Sequence, residues 1–149
     1  MCLTNIKIED VPNKKRVYKH LSVELINRRI SLCSQNCDDK KWFEGKHISN
    51  RNNSYIEDYE KKSYNSINLG FHVYPNPPYS SCILVMVVFT AYKDDYIASG
   101  YNNGESYSKG MVYNKLTLEK REYERALKRA KKLYPEGKYP KGYEYLEAK

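Results

Sequence analysis

The chain has 149 residues and a formal net charge of +8, from 26 Lys and Arg against 18 Asp and Glu. That length fits one domain, which buries roughly two-thirds of its unfolded surface and so requires no disulfide or metal staple. The longest apolar run, residues 82–89, is too short to cross a bilayer, and the basic balance favours acidic partners such as nucleic acid, an acidic protein face or an anionic surface.

In chain order, the first ten residues lack the basic and apolar regions of a signal peptide. A cytoplasmic protein with reduced thiols is therefore expected, with no membrane partner. Residues 15–21 read as a short strand. Residues 23–33 carry Val23, Leu25, Ile26, Ile30 and Leu32, a pattern shared by a short helix and a pair of strands. Trp42-Phe43 precedes a turn signal at Glu44-Gly45, and His47-Ile48 opens a further strand. Residues 50–68 are rich in Asn, Ser, Lys, Glu and Tyr and poor in aliphatics, which predicts a long, flexible surface loop.

The second half is more regular. Residues 70–74 (GFHVY) alternate Phe71 and Val73 against His72 and Tyr74, the period of a strand. Pro75, Pro77 and Pro78 end it, since proline cannot donate to a ladder. Residues 81–92 form a β-branched apolar run, as expected of a central strand covered on both faces. Lys93-Asp94-Asp95 turns the chain, residues 96–100 make another strand, and Asn102-Asn103-Gly104 is a strong turn. Residues 109–118 are read as one final strand.

Residues 119–134 predict a helix. Tyr123, Ala126, Leu127, Ala130, Leu133 and Tyr134 share one stripe, acidic residues sit in the first turn and basic ones in the last. Pro135 and Gly137 stop it. The window 119–132 holds seven Lys/Arg and three Glu, a net of +4 and half of the chain's excess. The tail, residues 138–149, is expected to pack loosely. The whole predicts a single α+β domain over residues 1–149: a mostly antiparallel sheet with a long C-terminal helix packed on it.

Several motifs carry two readings each. Cys2 becomes an N-terminal nucleophile if Met1 is removed, its own amine serving as base; otherwise it is a small residue beside a strand. Cys33 and Cys37 form a C-x3-C pair, but zinc wants a second pair, and the spacing supplies none. His72 is either ligand-facing or a satisfied, half-buried histidine. The stretch with Gly100 and Gly104 lacks the Lys and following helix of a phosphate loop, so a hairpin turn explains it. These readings assign no catalytic residue, metal or cofactor. The basic helix positions Arg121, Arg125, Lys128, Arg129 and Lys132 can lie against phosphates or an acidic partner, with Tyr101 and Tyr107 as stacking groups. The alternative is a solvated face with i, i+4 pairs such as Glu124–Lys128.

Met1-Cys2-Leu3, Val17-Tyr18-Lys19, the GFHVY strand, Asp95-Tyr96-Ile97-Ala98-Ser99-Gly100 and Val112-Tyr113-Asn114-Lys115-Leu116 together resemble small accessory proteins of bacteriophages and prophages. The resemblance implies a setting in the host cytoplasm, and inhibition of a host defence or host protein complex, as anti-CRISPR proteins do. The expected partner is a host protein or ribonucleoprotein complex. The alternatives are an RNA- or DNA-binding module built on the basic helix, and an enzyme using Cys2.

Overall fold

The computed structural model describes residues 3–27, 29–34, 40–49, 66–67, 70–78, 83–102, 109–138 and 142. The fold is α+β, as the sequence predicts. Among the described residues, the strands form two five-stranded sheets in which every pairing is antiparallel. The strands are β1 (Leu3–Lys7), β2 (Lys14–Ile26), β3 (Arg29–Cys33), β4 (Gly45–Ile48), β5 (Ser66–Ile67), β6 (Phe71–Val73), β7 (Leu84–Tyr92), β8 (Tyr96–Asn102), β9 (Lys109–Tyr113) and β10 (Lys115–Leu118). A 3-10 turn, Lys93–Asp95, links β7 to β8, and the α-helix among the described residues, α1 (Lys120–Leu133), follows β10. The first sheet runs β5-β1-β8-β9-β6 and the second β3-β2-β7-β10-β4.

The ambiguous segment 23–33 resolves as strands. Ile26 pairs with Arg29, and Asn27 takes the left-handed conformation (φ 51°) that a tight hairpin demands. The expected final strand over 109–118 is instead two strands, one in each sheet. They part at Asn114, whose N–H donates to the Asp95 carbonyl (2.7 Å) and whose carbonyl accepts from Ser49 (2.8 Å). The first bond continues the β8–β9 register and the second the β4–β10 register, so Asn114 is where the chain passes from one sheet to the other. Ser66 and Ile67, at the end of the segment read as a loop, pair with Thr4 and Leu3 as β5. The rest of that segment, the Asn103-Gly104 turn and most of the tail lie outside the described residues.

One core joins both sheets and the helix. Val17, Leu21, Val87 and Phe89 of the second sheet meet Val73, Met111 and Tyr113 of the first, with Leu116, Leu118, Ala126 and Ala130. Each large apolar side chain so buried contributes about 1.5–3 kcal/mol. Trp42 stands among them, edge-on to Phe71 and Phe89 at 5.0 Å, with its indole N–H donating to the Ser34 hydroxyl (2.8 Å). A smaller cluster on β1, β8 and β9 holds Leu3, Ile6, Ile97, Ala98 and Val112. Gly70 leads into β6 with φ 72°, and a Cβ there would stand 2.6 Å from the Val112 side chain, so glycine is required.

Candidate functional site

Helix α1 runs along β7, and β7 dictates how. Tyr18 exchanges both backbone hydrogen bonds with Tyr74 (2.9 and 2.7 Å), which ties β2 to the end of β6. Backbone groups alternate sides along a strand, so Tyr18 and its opposite, Val88, form a non-hydrogen-bonded pair of the β2–β7 ladder. By the same alternation, the carbonyl of Met86 points away from β2. On that side β7 pairs with β10 only at Thr90↔Thr117. The helix fills the gap. The Arg129 guanidinium donates to the Met86 carbonyl (3.1 Å) and the Tyr134 hydroxyl donates to the Ile83 carbonyl (2.8 Å). At the other end Thr90 donates to the Glu119 carboxylate (3.4 Å). Helix and strand therefore run antiparallel, with an acceptor in β7 and one just before it bonded by side chains of α1 and its C-cap residue.

The ends of α1 follow local chemistry. Glu119 is extended and serves as the N-cap residue, and Tyr134 leaves the helix with its N–H still bonded to Ala130 (3.0 Å). Pro135 follows, and Gly137 at φ 67° donates back to the Tyr134 carbonyl.

At 100° per residue, Ala126, Ala130, Tyr123 and Tyr134 occupy the inner arc, and Ala126 and Ala130 are fully buried. Alanine lets the helix backbone approach the sheet closely. Arg121, Arg125, Lys128 and Lys132 fall within about 60° on the opposite arc, and the stripe runs about 16 Å along the axis. All four are exposed, as are Lys120 and Lys131 on one flank. The helix carries seven cations (Lys120, Arg121, Arg125, Lys128, Arg129, Lys131, Lys132) against Glu122 and Glu124, a net of +5.

Neighbouring charges sort the five basic positions that the sequence singles out. Arg129 is a structural donor to β7 and does not belong to the open stripe. Arg125 pairs with Glu122 at 2.8 Å, and Arg16 of β2 approaches the same carboxylate oxygen at 3.8 Å. Glu122 is largely buried, so two guanidiniums share one carboxylate and the first turns keep a positive surplus. Arg121, Lys128 and Lys132 make up the rest of the stripe. Tyr101 does not join them: it lies on β8, opposite Thr4 and Lys109 in the first sheet, whereas α1 lies against β7 and β3 of the second. Tyr107 lies outside the described residues.

The other sequence candidates are placed differently. His72 is buried on β6 opposite Val112, and its carbonyl accepts from the Lys19 ammonium (3.0 Å). It is thus more deeply buried than the half-buried histidine expected. The Cys33 thiol donates to Glu24 across the β2–β3 hairpin (3.2 Å). Cys2, Cys37 and Cys82 lie outside the described residues. Among the described residues, no group of three His, Cys, Asp or Glu is arranged to hold a metal, and no helix is long and apolar enough to cross a membrane.

A second grouping has no counterpart in the sequence reading. The Lys40 ammonium stands 4.7 Å from the Trp42 ring centroid and 5.7 Å from that of Phe71. The His47 ring lies against Trp42, tilted by 44° with centroids 4.6 Å apart, and donates through Nε2 to the Phe43 carbonyl (2.7 Å). Burial lowers the pKa of His47, which the Phe43 hydrogen bond partly opposes and Lys40 reinforces. Burial also lowers the pKa of Lys40. This corner anchors β4 to the core. No protein-family model matches the chain, and no match was found among curated proteins or among solved structures.

Proposed function

We propose that this protein is a small phage-type binding protein that inhibits a host defence or host protein complex, and that the outer face of α1 guides it to an anionic surface of that target. The observation that carries the reading is the exposed stripe of Arg121, Arg125, Lys128 and Lys132, set directly opposite the buried alanines. A surface ion pair stabilises a fold by no more than about 1 kcal/mol. A helix net charge of +5 therefore does little for folding, while it raises the encounter rate with an anionic partner. The resemblance to phage accessory proteins supplies the biological setting.

The test is efficiency of plating. Expression of the protein in a host with an active defence system raises phage plating, and the variant R121E/K128E/K132E loses that effect while remaining folded by circular dichroism. Plating unchanged by the protein across several defence systems, or an unimpaired triple variant, contradicts the reading.

A further inference from the structure

We infer that the α1 stripe is a sequence-independent site for the phosphate backbone of duplex nucleic acid. This inference deepens the charge-guided reading above and rests on it.

The composition of the stripe decides between anionic partners. Arg121, Arg125, Lys128 and Lys132 have no aliphatic, aromatic or amide side chain between them on the outer arc. Protein–protein interfaces place apolar and aromatic anchors at their centre, and although Arg is enriched there, charge as a whole and lysine are depleted. The exposed large apolar residues of this protein, among those described, are Ile8, Phe43, Ile48 and Tyr92, and none of them lies on α1. Protein–nucleic acid interfaces are instead polar and strongly positive. Arg and Lys can read guanine edges as well as phosphates, but a stripe of cations alone has no amide or carboxylate for adenine or cytosine, so the phosphate backbone is the ligand it meets whatever the sequence.

The shape of the site selects a duplex. Single strands are held by aromatic platforms on which bases stack. Tyr123 of α1 is on the inner arc, against the core, and Tyr101 is in the other sheet. A convex helix about 16 Å long, with cations confined to about 60°, fits along one backbone of a duplex. Arg121 and Arg125 add the planar fork that suits a phosphate, and Lys128 and Lys132 act as point charges. Arg125 keeps Glu122 as its partner, so three to four phosphates are neutralised.

That number fixes the test. Log affinity falls with log salt at a slope of about −2.7 to −3.6, for three to four phosphates at 0.9 each. Between 50 and 200 mM salt, affinity drops about 40- to 150-fold. The probes are two 20-base-pair DNA duplexes of unrelated sequence, followed by fluorescence anisotropy, with a single strand of equal length and polyglutamate as comparison arms. The expected result is equal affinity for the two duplexes, weaker single-strand binding, and a slope flatter by about 0.9 in R121Q and in K128Q. K115Q, an equal charge change on β10, leaves the slope in place. A slope shallower than about −1, tenfold discrimination between the duplexes, or tighter single-strand binding overturns the inference. Binding of polyglutamate without duplex overturns it while sparing the charge-guided reading, and binding of neither overturns both.

Discussion

The corner around Trp42 and the outer face of α1 both carry cations, yet they use charge in opposite ways. At the corner, Lys40 is drawn over Trp42 and Phe71, His47 is held by the Phe43 carbonyl, and burial pulls both pKa values down. There charge is subordinate to packing. On α1 packing is confined to one arc, where Ala126 and Ala130 meet the sheet, and the cations on the other arc contribute little to the fold. Arg129 marks the border between the two uses, since its guanidinium closes the open edge of β7 at Met86. The contrast teaches that position on the helix, and not residue type, separates structural from available charge.

Breaking the corner produces the largest effect. Trp42→Ala removes a fully buried indole and its hydrogen bond to Ser34, and a loss of about 3–5 kcal/mol in urea unfolding is expected. A loss below about 1 kcal/mol would show that the core closes without it.

Tyr113 sharpens the comparison from the other direction. It is fully buried, its hydroxyl has no hydrogen-bond partner among the described residues, and burial with the nearby Tyr96 pushes its pKa up to about 12. Tyr113→Phe keeps the ring and removes the unsatisfied group, so stability rises by about 1 kcal/mol. Unchanged or reduced stability in the same unfolding assay contradicts this. Tyr134→Phe does the opposite: it removes the hydroxyl's hydrogen bond to the Ile83 carbonyl and costs about 1 kcal/mol. Faster amide exchange at the start of β7 reads out the same loss.

Acidification separates the regions without mutation. His47 and His20 have pKa values lowered by burial from the ordinary 6.5. Below that value the unfolded chain binds protons that the folded one resists. Stability therefore falls as pH drops through 6.5 and levels off only below the folded-state values. The denaturation midpoint declines from pH 7.5 to 5.5, and less so in H20Q/H47Q. A flat profile, or a decline unaltered by the double substitution, contradicts the assignment.

How much of this was legible in the sequence varies by element. The helix was readable almost to the residue, because its alanine stripe, acidic start and Pro-Gly stop agree. The β-branched run over 81–92 gave β7 as a central strand with its end at Tyr92, while the strand itself starts only at Leu84. The split between β9 and β10 was encoded but unread. Met111 and Tyr113 are odd-numbered core residues, Leu116 and Leu118 even-numbered ones, and that change of phase across Asn114 is the mark of a corner. Asn27 likewise favoured a hairpin over a helix. At the candidate site, the sequence located the cations on one helix but could not separate Arg129 from Arg121. That distinction depends on a backbone carbonyl of β7, and its direction follows from strand pairing, which no local pattern reports.

The most direct test compares the elution of two charge-matched variants from heparin resin. R121E/K128E/K132E removes three cations of the stripe, while K14E/K46E/K115E removes three exposed lysines elsewhere. Both changes fall on the surface, so both proteins keep the wild-type stability within about 0.5 kcal/mol. The account predicts that the stripe variant elutes at much lower salt than the wild type and the off-stripe variant only slightly lower. Equal shifts would mean that total charge, and not the outer face of α1, governs binding.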